Sequence, residues 1–346
     1  MLKLPVNSSS SNTFMKTGNA YAYMDSTISS FKLSSIGLND NTHGAAALTL
    51  QQFYNAGADV SHVFYDDESP DNKTHDSNGH TKGVVGLDDS AGLWMVHSVP
   101  RYPPYQASGY SYPDYATTFG QSFFCMSLSL STLQTVSQQM QLNHPYVFES
   151  KLTTATSQKV PALAGIVNGV HVSVSASNIT AFQTLGGVPL TAFSKTSTWN
   201  QDLYMDLVQP YYKQSMLIET WTNGINPVSL AATNSLDQSH PQPCATHSLT
   251  RFVPKPKTQL PSECTPKFPY NSMNVAVVEF AGGYEYTRSR DHSKWAISQN
   301  ANENVVCIGD INRQASMATR AGGTVCIVNK TIWTAFNSLI VAVDPC

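Results

Sequence analysis

The tripeptide His-x-Lys occurs twice in this chain, in "GHTKG" at 79–83 and in "DHSKW" at 291–295, each time around a small hydroxyl residue. Aligning the chain on these sites brings further features into register. After Lys82 comes "GVVGLDDSAGLWMVHSVP", a strand, a turn at "DDSAG" and a second apolar strand ending at His97. After Lys294 comes "WAISQNANENVVCIGDINR", again strand, polar turn and apolar strand, ending at Asp310. Lys82 to His97 spans 97 − 82 = 15 positions and Lys294 to Asp310 spans 310 − 294 = 16. Each half continues with a Gly-led, Cys-containing strand, "GQSFFCMSLSL" (120–130) and "GGTVCIVN" (322–329). A helix follows in each: Leu130, Leu133, Val136 and Met140 recur at helical spacing, as do Ile332, Trp333, Phe336 and Ile340. Ordered features repeating in register predict an internal duplication, which restricts the fold to two similar α/β halves.

The halves divide at 1–150 and 151–346, the second carrying a Pro-, Ser- and Thr-rich surface insertion at about 226–262. "NQDLYMDLV" (200–208) reads as an Asn-capped helix with Leu203 and Leu207 on one face. The 346 residues suffice for a sizeable core, but only 12% are charged, against a typical ~25%. Sequons stand at Asn7, Asn72, Asn178 and Asn329. Together with the cysteines and the sparse charge, they point to a secreted or lysosomal glycoprotein. No apolar run reaches the ~18 residues of a membrane span. The start, "MLKLPVNSSSSN", is too weakly apolar for a signal peptide. Six cysteines without a CxxC pair indicate neither a zinc ribbon nor a redox motif. Protonating all ten histidines would move the formal charge from −3 to +7, so an anionic ligand would be met better in acid.

On a strand, positions i and i+2 share a face, so each histidine projects with its lysine. Two halves packed about a pseudo-twofold axis would bring both pairs to one seam. Such an arrangement makes a poor core but can hold a phosphodiester. The lysines would neutralise the non-bridging oxygens, one imidazole would attack phosphorus and the other would protonate the leaving oxygen. That chemistry calls for no metal or other cofactor, and no HExxH motif or carboxylate cluster suggests one.

The doubled His-x-Lys, with a strand ending in "IGDINR", resembles the phospholipase D-like superfamily. "GHTKGVVGLDDSAGLWMVHSVPRYPP", "YATTFGQSFFCMSL", "DHSKW", "CIGDINR" and "RAGGTVC" resemble the deoxyribonuclease II family more closely, over nearly the whole chain. The resemblance implies an α/β pseudo-dimer of two mixed β-sheet halves flanked by helices, with the active site between them. It implies a metal-independent acid endonuclease that cuts DNA to 3′-phosphates through a phosphohistidine, with little sequence preference; a homodimer is an allowed assembly. His80, Lys82, His292 and Lys294 take the catalytic positions, with His292 as nucleophile and His80 as acid, or the reverse. His97, Asp310 and Asn312 fall where phosphate-orienting residues are placed. The resemblance also implies the disulfides Cys307–Cys326 and Cys264–Cys346, and glycosylation at Asn178.

Departures from the family pattern are equally specific. The family begins with a signal peptide, a cysteine and a strand before "YKLP", where this chain starts. That would weaken the first half and leave Cys125 without its usual partner, with Cys244 as a substitute or itself free. "FYDDE" (64–68) has Asp66 where relatives tend to have Asn, and "DHSKWA" lacks a cysteine that some relatives carry. These departures sustain a rival reading, a secreted relative with weak or lost catalysis that acts by binding a partner. A phosphodiesterase on lipid head groups is a third. Among single residues, Asp88 and Asp89 read as turn formers and Trp94 and Trp295 as core. Arg313 and Arg320 stand open between phosphate contacts and solvated arginines. The other histidines, His43, His62, His75, His144, His171, His240 and His247, read as surface or structural.

Overall fold

The computed structural model describes residues 1–57, 59–222, 259–280 and 283–346. Most of the insertion, with Cys244, His240 and His247, lies outside them. Two large sheets divide the chain. The first is built from β1 (Leu2–Lys3), β2 (Tyr21–Asp25), β3 (Ile28–Leu33), β4 (Ser61–Asp66), β7 (Lys82–Leu87), β8 (Ala91–His97), β9 (Gln121–Ser129) and β10 (Val147–Lys151). The short pair β5 (Glu68–Ser69) and β6 (Lys73–Thr74) stands beside it. The second comprises β11 (Ser177–Gln183), β12 (Pro189–Lys195), β13 (Met216–Thr220), β14 (Ser272–Phe280), β15 (Tyr284–Thr287), β16 (Lys294–Ser298), β17 (Val305–Gly309), β18 (Gly322–Val328) and β19 (Ile340–Val343). The helices are α1 (Thr13–Thr17), α2 (Ala45–Tyr54), α3 (Leu130–Asn143), α4 (Thr154–Lys159), α5 (Pro161–Val167), α6 (Gln209–Tyr212) and α7 (Lys330–Asn337).

Spatial order runs β10-β4-β7-β8-β9-β1-β2-β3 in one sheet and β11-β12-β18-β17-β16-β13-β14-β15 in the other. The first is antiparallel throughout, so the expectation of two mixed sheets is corrected. Among the described strand ladders only β13 with β14 is parallel; the isolated bridge between Gly120 and Asp291 is parallel too. The long stretch between β13 and β14 makes that crossover feasible, whereas the short connections of β2–β3, β7–β8, β11–β12 and β16–β17 impose antiparallel neighbours.

The helices tie the sheets into one body. α3 starts at Ser129, whose hydroxyl accepts from the Thr132 N–H, and buries Leu133, Val136 and Met140. It leaves the first sheet and packs on β11 and β12 of the second. α7 makes the return crossing. Its Asn329 cap accepts from the Ile332 N–H, and Phe336 meets Phe31 of β3 at 5.1 Å and Trp295 of β16 at 5.2 Å. A single apolar core therefore includes Val85 and Trp94 from the first sheet with Phe182, Ile297 and Val325 from the second.

Two helix expectations are corrected in detail. α7 ends at Asn337, and Ile340 opens β19, because the chain must turn there to pair with β14. The segment at 200–208 is capped by Asp202, whose carboxylate accepts from the Tyr204 and Met205 N–H groups, and not by Asn200. It forms a π-turn at Tyr204–Val208 before α6, with Leu203 buried. No helix among the described residues is long and apolar enough to cross a membrane.

Candidate active site

Strand register decides where the two motifs point. The hairpin β7–β8 pairs Gly83 with Val96, and β16–β17 pairs Trp295 with Ile308. One step further along each ladder, Lys82 faces His97 and Lys294 faces Gly309. Asp310 is therefore not the counterpart of His97; the extra residue in its spacing carries it one place past the equivalent position.

Each histidine hangs from the other half. The His80 N–H donates to the carbonyl of Ala321 and the His292 N–H to that of Gly120, both at 2.8 Å. These acceptors are themselves equivalent, each standing just ahead of the strand, β18 or β9, that follows its half's hairpin. Thr81 and Asp310 add a third seam bond, hydroxyl to carboxylate at 2.7 Å, and the Lys294 N–H reaches the Ser122 hydroxyl at 3.4 Å. Close approach explains two glycines. A Cβ on Gly120 would sit 2.4 Å from Asp291 Oδ1, and one on Gly79 only 1.8 Å from the Asn143 carbonyl.

The first dyad is rich in charge. His80 Nδ1 lies 2.7 Å from the Asp310 carbonyl, which fixes the proton on Nδ1 and leaves Nε2 for chemistry. Lys82 is buried against Asp66, at 3.1 Å, and Asp67. Burial works against its ammonium, but the two carboxylates outweigh this and hold its pKa above the usual lysine range. Arg320 donates to Asp67 at 2.8 Å, to Asp76 at 3.4 Å and to the Asn78 carbonyl. His80 is pushed down to about 3 by burial; Asp67 pulls it up, while Lys82, Lys294 and Arg320 push it down.

At the second dyad the equivalent places are uncharged. The pairings Asp66↔Lys82 and Thr220↔Lys294 put a threonine where the first half has Asp66, and the next residue is Trp221 in place of Asp67. Across the seam Phe119 replaces Arg320. These rings enclose His292, with Phe119 stacked at 4.4 Å and Trp221 at 3.8 Å. His292 Nε2 is buried and has no hydrogen-bond partner among the described residues. Burial first, then the charges of Lys294, Lys82 and His80, holds His292 well below the usual histidine range. The mutual influence of these groups places both dyads in one electrostatic site. Lys294 donates to the His292 carbonyl and is brought down to about 7, by burial and then by Lys82. Asp310 is pushed up to about 7, chiefly by burial.

The other expected residues divide. His97 is buried between Tyr102 and Phe123 and lowered to about 3 by burial and by Lys82, so it belongs behind the first lysine. Asn312 is buried with an unpartnered Oδ1, and no hydrogen bond joins it to either dyad. Arg313 is fully buried on Glu263, Asn274 and the carbonyls of Leu260 and Pro261, a structural role. The disulfides Cys307–Cys326 and Cys264–Cys346 are present, and Cys125 is unpaired among the described residues. Asn72, Asn178 and Asn329 are exposed and Asn7 is half-buried. The Asn178 amide donates to Gln139, and the Asn329 side chain is occupied as a helix cap. Sequence reading missed the roles of Asp67, Arg320, Phe119 and Trp221 at the seam, because each acts through a residue that local pattern does not pair with it.

Two imidazoles and two ammoniums gathered at a seam between similar sheets define a class of site suited to a doubly contacted oxyanion. The comparisons agree in kind. The family model for Deoxyribonuclease II matches residues 1–244 and 242–346, and the chain belongs to that family. It is 32% identical to Plancitoxin-1 of Acanthaster planci, over 99% of this chain and 88% of that protein. It is 31% identical to Deoxyribonuclease-2-alpha of Rattus norvegicus over 99% and 90%, and 29% identical to Cell death-related nuclease 6 of Caenorhabditis elegans over 97% and 82%.

Proposed function

We propose that this chain is an acid endonuclease that hydrolyses DNA phosphodiesters to 3′-phosphates from a phospholipase D-like pseudo-dimer. The observation that carries the reading is the reciprocal suspension of His80 and His292 from Ala321 and Gly120, with one lysine beside each histidine. The names of its relatives and its family membership favour DNA as substrate. An acidic, secreted or lysosomal setting fits the charge gained when its histidines protonate.

In this mechanism Nε2 of His292 attacks phosphorus while the P–O5′ bond breaks, leaving the 3′-phosphoryl group on nitrogen. The leaving O5′ takes a proton from Nε2 of His80. Water then loses a proton to His80 and displaces His292, releasing the 3′-phosphate. The unequal surroundings support this division of labour. Asp67 pulls His80 toward the imidazolium against the burial that lowers it to about 3, and a bound phosphate anion would add to that pull, whereas burial among aromatic rings keeps His292 neutral. Lys82 and Lys294 would take the non-bridging oxygens, and contacts to the backbone alone give little sequence preference. Nicking of supercoiled plasmid at pH 5 in EDTA tests the reading. His292→Ala should abolish it, and full activity in that variant would remove the mechanism.

A further inference from the structure

Two lysines outside the motifs share a feature that register alone reveals. Lys3 pairs with Gln121 on β9 and Lys195 with Gly322 on β18, the residues that directly follow Gly120 and Ala321. They occupy the same place in the two halves. Both are buried, at 1% and 0% exposure, and neither forms an ion pair among the described residues. An isolated buried ammonium is costly, and an apolar residue would fill such a space more cheaply. What the ammoniums do is donate to backbone. Lys3 Nζ donates to the carbonyls of Thr117 and Phe119, the latter at 2.5 Å. Lys195 Nζ donates to those of Met317 at 2.9 Å, Ala318 at 2.8 Å and Arg320 at 2.5 Å.

In each half the clamped carbonyls immediately precede the one from which the opposite histidine hangs. The Lys3 clamp also fixes Phe119, whose ring lies on His292. The Lys195 clamp fixes Arg320, which holds Asp67 beside His80 and Lys82. We propose that Lys3 and Lys195 are a matched pair of positioning residues, each setting the catalytic histidine of the other half through the backbone it grips. Lys3 serves His292 and Lys195 serves His80. The charged groups acting on Lys3 are Asp291 and Arg290, and those on Lys195 are Asp202 and Arg320; burial dominates both and lowers both lysines, Lys195 to about 8. At about 8, the Lys195 clamp is protonated in acid.

The catalytic arm of the test rests on the nuclease reading, and the spectroscopic arm does not. Lys3→Met and Lys195→Met are made in the full chain, with the exposed lysine variant Lys32→Met as control. By NMR, Lys195→Met should move the imidazole resonances and titration of His80 and spare His292, and Lys3→Met should do the opposite. On plasmid DNA each should lose about a hundredfold in kcat with KM changed less than about threefold, as expected when a reacting group is displaced by an ångström. A thymidine 3′-(p-nitrophenyl phosphate), whose leaving group needs no proton, should restore the first-turnover burst of p-nitrophenolate in Lys195→Met but not in Lys3→Met. Lys3→Gln and Lys195→Gln replace any methionine variant that does not fold. Equal losses for Lys195→Met on both substrates, rescue of Lys3→Met, or histidine signals that move together or not at all, would overturn the proposal. A wild-type chain that fails to nick DNA at pH 5 would defeat the nuclease reading while leaving the NMR result to judge the lysines.

Discussion

Lys82 lies against two buried carboxylates, and Lys294, its counterpart, has a threonine and an indole in their places. In the proposed mechanism two unlike reagents thereby arise from one motif. Asp67 is the residue on which this inequality turns, because it contacts Lys82 and Arg320 and favours protonation of His80. Asp67→Asn removes the charge that raises His80, so the imidazolium should form only at lower pH. The activity optimum should shift to more acidic pH, with roughly tenfold lower kcat at pH 5, short of the ~10²–10⁴ that loss of the general acid itself would cost; a plasmid-nicking profile across pH checks this. An unshifted profile would assign Asp67 to structure alone. Of these residues the sequence displays the motifs themselves. "FYDDE" attracts notice only as a departure, and nothing local marks Lys195, Phe119 or Trp221, whose partners are distant in the sequence.

Among elements, α3 and α7 carry the joining of the sheets, each leaving its own half to pack on the other. Phe336 of α7 sits between Phe31 and Trp295 and is 2% exposed. Phe336→Ala should therefore cost about 3–5 kcal/mol, the range for emptying a large aromatic site in a core. Urea unfolding followed by tryptophan fluorescence measures it. A loss under about 1 kcal/mol would show that the seam does not depend on this contact. The apolar spacing of Leu130, Leu133, Val136 and Met140 made α3 legible, because a helix that buries one stripe must show it. At the C-terminal end the same pattern ran on to Ile340, since periodicity does not mark where tertiary pairing takes over from helix. Register was legible only approximately. A one-residue difference in spacing looked like drift between repeats, whereas β-pairing makes Gly309, not Asp310, the partner position of Lys294.

For the whole molecule, the buried acids and histidines pull stability in opposite directions as pH changes. Asp310 is pushed up to about 7, so between the ordinary carboxyl range near ~4 and 7 the folded chain keeps a proton that the unfolded chain has lost. Its contribution is present in acid and fades as pH rises through that window. Asp310→Asn cannot ionise and retains an acceptor for Thr81. It should match the wild type at pH 4 and exceed it at pH 8 by on the order of 3 kcal/mol, as read from denaturant melts. Equal melts at both pH values would contradict the burial argument. The buried histidines act in the other sense. With His80 and His97 each lowered to about 3, stability falls as pH drops below the ordinary histidine range near ~6.5. The two opposing trends leave a working window in mild acid. The exchange of backbone tethers between the halves has a further implication. Neither sheet owns the hook for its own imidazole, so a chain with one half unfinished, or with the two sprung apart, disarms both reagents together. The closed body is in that sense its own safety catch, armed only once folding has run to its end.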